Sequence, residues 1–141
     1  MHDWKAQLEK LNKELVKEER AEMERRANVL KGFRQLLVEL EPIVKTAQEF
    51  GDAFGVDCAW QISRFDDRYP YLEFRVLRPA LEYRVECRDG AIRERLREGL
   101  GKAQEREVAL EDLQPRTFEK RITQWVQAAA NANRKVPGKR R

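Results

Sequence analysis

With 141 residues, the chain has room for one ordinary domain whose core needs neither disulfides nor a metal. Charged residues make up 38%, well above the roughly 25% of an average globular domain, which points to long solvated helices. The net charge of +4 sits at one end: residues 134–141 hold five bases (Arg134, Lys135, Lys139, Arg140, Arg141) and no acid, which leaves −1 for residues 1–133.

No apolar run approaches the ~18 residues of a membrane span. The start, Met1-His2-Asp3-Trp4-Lys5, lacks the basic-then-apolar layout of a signal peptide. The expectation is a cytoplasmic protein with no membrane partner, in which Cys58 and Cys87 are reduced thiols.

Residues 3–41 read as helix. Trp4, Leu8, Leu11 and Leu15 step by four, three and four onto one stripe, and Met23, Leu30, Phe33, Leu37 and Leu40 form a second. Between them, Lys17-Glu18-Glu19-Arg20-Ala21-Glu22 favours helix but offers no apolar anchor. Such a helix spans about 58 Å, longer than a domain of this size is wide. Part of it must project, pair with a partner or fold back. Pro42 disfavours helical geometry at Glu41 and suits the first turn of a new helix to about Phe54, so a break near Pro42 is expected.

The middle reads as an antiparallel β-meander of three to five strands. Val56, Cys58, Trp60 and Ile62 alternate with polar or small residues, as do Leu72, Phe74 and Val76, and then Leu81, Tyr83, Val85 and Cys87. Pairing the residues that flank each turn gives inward rows Ile62·Phe74·Val85 and Trp60·Val76·Tyr83, with Cys58 opposite Arg78 and Cys87 opposite Leu72. Asp89-Gly90 marks a two-residue hairpin. A fourth strand should begin at Ala91, pairing Glu86 with Arg93 and Glu82 with Arg97. Ile92, Leu96 and Leu100 also fit helical spacing, so residues 91–110 read as two strands or as a helix. A fifth strand is placed around Glu105–Leu110.

Pro115 opens a C-terminal helix with the stripe Phe118, Ile122, Trp125, Val126 and Ala129, and Leu113 is placed to staple onto Phe118. The fold class is therefore α+β: a long N-terminal helix, an antiparallel meander, and a C-terminal helix packed on one sheet face. Residues 1–133 form one domain with residues 1–22 as a projecting arm, and residues 134–141 form a disordered basic tail.

The inventory speaks against an enzyme. His2, at the terminus, is the sole histidine and Ser63 the sole serine, so a nucleophile–base pair has nothing to draw on. Two nonadjacent cysteines without histidines do not make a zinc site. Asp66 and Asp67 fit hairpin-turn chemistry better than acid–base or magnesium chemistry. No cofactor is expected.

Two surfaces remain. Trp4, Leu8, Leu11 and Leu15 read as the seam of a homodimer, which makes the chain a non-enzymatic interaction or adaptor module; the polar stretch at 17–22 interrupts any long regular coiled coil. The alternative is a nucleic-acid-associated protein. It would meet phosphate through Arg134, Lys135, Lys139, Arg140 and Arg141 and through an outward row of Arg75, Arg84 and Arg95.

Overall fold

The computed structural model describes residues 3–64 and 66–134. Helix α1 (Trp4–Ala53) leads into strands β1 (Cys58–Ile62), β2 (Tyr71–Val76), β3 (Leu81–Arg88), β4 (Ala91–Glu98) and β5 (Gln104–Val108). A 3-10 turn (Leu110–Asp112) then precedes α2 (Pro115–Arg134). The strands form one antiparallel sheet in chain order, so the α+β meander holds at its upper count of five. Residues 91–110 are two strands, and the fifth starts one residue before its expected position and ends at Val108.

Helix α1 does not break at Pro42, which corrects the expected two-helix arrangement. Proline removes one hydrogen bond from the ladder, a cost of about 3 kcal/mol in a helix interior. Packing on both sides outweighs it. Leu36, Leu37 and Leu40 before Pro42 and Val44 and Ala47 after it all enter the same core. The helix is also continuous through residues 17–22, so the arm does not fold back on its own chain. It ends in a Schellman arrangement: Val56 N–H donates to the Gly51 carbonyl (2.8 Å) and Gly55 N–H to that of Asp52 (3.4 Å).

The register differs from expectation at two seams. β1 and β2 pair Trp60 with Phe74 and Ile62 with Leu72; β2 and β3 pair Phe74 with Tyr83 and Leu72 with Val85. Each seam is shifted by two residues. Residues 77–80 form a four-residue turn closed by Val76 and Leu81, longer than the two-residue Pro79-Ala80 turn that pairing Val76 with Tyr83 implies. A two-residue shift preserves the faces, because side chains alternate with period two. The inward residues therefore stay inward in different rows, and Cys58 lies opposite Val76. The β3–β4 seam has the expected pairs, Glu86 with Arg93 and Glu82 with Arg97, across a turn in which Asp89 and Gly90 both take positive φ (52° and 78°).

The covered face buries Phe74, Tyr83, Val85 and Ile92 against Phe33, Leu40 and Val44 of α1 and Phe118, Ile122 and Val126 of α2. Leu113 and Phe118 are both buried where the staple was expected. Cover from α1 begins at Val29, not at Met23, which is 70% exposed. Cys58 and Cys87 are buried and unbridged, on strands separated by β2. No helix among the described residues is long and apolar enough to cross a membrane.

Candidate functional site

The first candidate is the arm. Trp4, Leu8, Leu11 and Leu15 are about half exposed, at 59%, 48%, 53% and 54%. Leu40, Val44, Ala47 and Gly51 stand 36 positions after them in turn, which is roughly ten turns at 3.6 residues per turn. Leu15 and Phe33 are related in the same way by about five turns. The stripe is thus the core-facing edge of α1 continued past the sheet. What downstream meets the sheet and α2 lies upstream outside the core formed by the described residues. Val16 (48%) and Met23 add apolar surface beside it.

The second candidate is the open face of the sheet. Arg84 and Arg95 lie directly opposite each other, but the corrected register removes Arg75 from their row. The row reads Glu73, Arg84, Arg95, Glu105, with an acid at each end. The next reads Arg75, Glu82, Arg97. The expected stripe of three arginines is therefore not a row. Its like charges are offset in place: Arg84 bonds Glu73 and lies 4.1 Å over the Tyr71 ring, and Arg95 approaches Glu105 at 3.8 Å. Of the basic terminus, Arg134 is the last residue of α2, not part of a tail, and Lys135, Lys139, Arg140 and Arg141 lie outside the described residues.

A third feature went unread in the sequence. Glu94 points to the covered face, 3% exposed. It accepts hydrogen bonds from the Tyr83 hydroxyl (2.6 Å), Arg121 (2.7 Å) and Arg106 (2.8 Å). Burial pushes its carboxyl up, but the hydrogen bonds from Tyr83, Arg106 and Arg121 and the Arg121 charge outweigh that and leave its pKa below the ordinary value. Arg121 also lies over the Tyr83 and Trp125 rings, 5.1 Å from each centroid. The apolar row Ile62, Leu72, Val85 thus ends at the sheet edge in a charge pair, Glu94 and Arg106, that α2 clasps through Arg121. The signal was present: Glu94 stands between Ile92 and Leu96 on an alternating strand, so it had to face inward.

Neither cysteine thiol is poised as a nucleophile. Burial first, then Asp52 and Asp57, pushes the Cys58 thiol up to about 11, and burial raises Cys87 as well, so both stay protonated at neutral pH. Asp67 accepts a hydrogen bond from the Arg64 backbone N–H (3.0 Å), the work of a turn residue. No group of three or more metal-ligating side chains occurs among the described residues. An apolar groove of about 270 Å³ runs between α1 and α2 beside Ile43, Phe50 and Val126. The chain matches no protein-family model, no curated protein and no solved structure.

Proposed function

We propose that this chain is a non-enzymatic interaction module that self-associates through its N-terminal arm and leaves the sheet and α2 free for a further partner. The observation that carries the reading is the exposed continuation of a core-facing stripe on a helix that runs past its own sheet. Leaving Trp4, Leu8, Leu11 and Leu15 in water forgoes roughly 1.5–3 kcal/mol per large side chain that burial would supply.

A second copy is the occupant that fits best. Residues 3–16 carry three acids (Asp3, Glu9, Glu14) and three bases (Lys5, Lys10, Lys13), so two arms approach without net repulsion. Four apolar residues from each chain offset the entropic cost of pairing. The anchorless stretch 17–22 then serves as a spacer that keeps the two bodies apart.

The test is a Leu8→Glu/Leu11→Glu variant followed by light scattering and circular dichroism. Because the stripe lies outside the core of the described residues, the variant should keep the wild-type far-ultraviolet spectrum and fall to the monomer mass. A loss of fold without a change in mass would mean that the stripe is core.

A further inference from the structure

On the open face of the sheet, β4 places Arg93, Arg95 and Arg97 in succession. Their acid partners run out along the strand. Glu107 stands opposite Arg93 and Glu105 opposite Arg95. β5 begins at Gln104, opposite Leu96, so it brings no acid beside Arg97. On the other side Arg97 has Glu82, which also stands opposite Arg75. Two arginines therefore share one carboxylate at this row.

The consequence is visible at a single atom: Nε of Arg97 is buried and has no hydrogen-bond acceptor among the described residues. Buried polar groups are rarely left unpaired, and one on a charged side chain is more costly than one on a neutral side chain. Arg97 lines a cleft of about 120 Å³ together with Glu73, Arg75, Glu82, Tyr83, Arg84 and Arg95. That is several times the volume of a water molecule. Arg84 is paired with Glu73 and Arg95 with Glu105, so Arg75 and Arg97, with Glu82 between them, leave a surplus of one positive charge that a bridging water would not neutralise. Arg84 is held in place by Glu73 and the Tyr71 ring, so part of the wall is already ordered.

We infer that this cleft, centred on Arg97 and Arg75, binds a phosphate-type oxyanion, with the Arg97 guanidinium donating to its oxygens. The planar, forked guanidinium suits such an acceptor, and an anion complements the uncompensated base. The site is independent of the arm; its walls include Arg75, Arg84 and Arg95, which share the open face but not one row.

The test is a titration of the full-length protein with inorganic phosphate at constant ionic strength, read by nuclear magnetic resonance of the arginine Nε–H signals. The expected result is a saturable shift of the Arg97 signal. Arg97→Gln should weaken binding about tenfold or more. Arg93→Gln, whose cross-strand acids are Glu86 and Glu107, should leave it within about twofold. Glu82→Gln should tighten it, because it removes the shared acid. Dimethyl phosphate in a parallel titration identifies the source: preference for the dianion indicates a phosphomonoester, and equal or better binding of the diester a phosphodiester. No saturable shift with either anion, or equal losses in Arg97→Gln and Arg93→Gln, would overturn the assignment.

Discussion

The Tyr83 hydroxyl donates a 2.6 Å hydrogen bond to Oε1 of Glu94, the oxygen that also accepts from Arg121 of α2. One carboxylate thereby ties β3, β4 and the C-terminal helix together, and through its other oxygen it holds Arg106 of β5. Removing it leaves Tyr83 and Arg121 without their acceptor beside a closed core. Glu94→Ala should destabilise the protein by roughly 3 kcal/mol, the scale for breaking one side of a buried ion pair. Arg121→Ala should cost more than Arg106→Ala, because Arg106 is 67% exposed and Arg121 only 26%. Urea melts of the three variants check the order.

The same carboxylate sets an acid dependence. Its pKa in the folded protein lies below the ordinary 4.5, so the unfolded chain takes up its proton first as pH falls. The stabilisation is complete above that ordinary value and is lost as pH drops through the lower folded value. Melting temperatures of wild type and Glu94→Gln should accordingly converge below pH 4.5 and stay separated at pH 7. A constant gap across that range would show that the charge on Glu94 is not what stabilises.

How much of this could be read from the sequence follows from the range of each interaction. Alternation along a strand is local, so the inward sets of β1 to β3 were clear, and Asp89-Gly90 fixed the β3–β4 register outright. The other seams depend on how many residues a turn spends, and residues 77–80 used four where two were assumed. That error moved Arg75 out of the Arg84 row and concealed that Arg75 and Arg97 both face Glu82. Pro42 misled because local preference was weighed without Val44 and Ala47, whose packing carries the helix through it. The arm stood out early, since four apolar residues on a charged helix need no tertiary context to be noticed. Glu94 was missed because Ile92, Leu96 and Leu100 kept a helical reading open.

Gly90 is constrained twice. Its φ of 78° is unfavourable for any residue with a Cβ, and a Cβ placed there would run into the Arg26 side chain of α1. Gly90→Ala should cost about 1–2 kcal/mol in a chemical melt. An unchanged midpoint would argue against the close passage of α1 over the β3–β4 turn.

The two thiols should be chemically quiet. With Cys58 and Cys87 buried and their thiolates disfavoured, a thiol-reactive disulfide reagent at pH 8 should label neither in the native protein within minutes, and both in denaturant. Rapid native labelling of either would contradict the burial of that strand position.

Self-association through the arm is the central claim, and sedimentation equilibrium of the intact chain over a range of concentrations tests it most directly. The chain mass is 16.7 kDa. The account predicts a mass that rises with concentration to twice that value and no further, in a reversible equilibrium that Leu8→Glu/Leu11→Glu abolishes. A mass of one chain at every concentration up to about 1 mM, where even a contact worth only about 4 kcal/mol would half-populate, would contradict it.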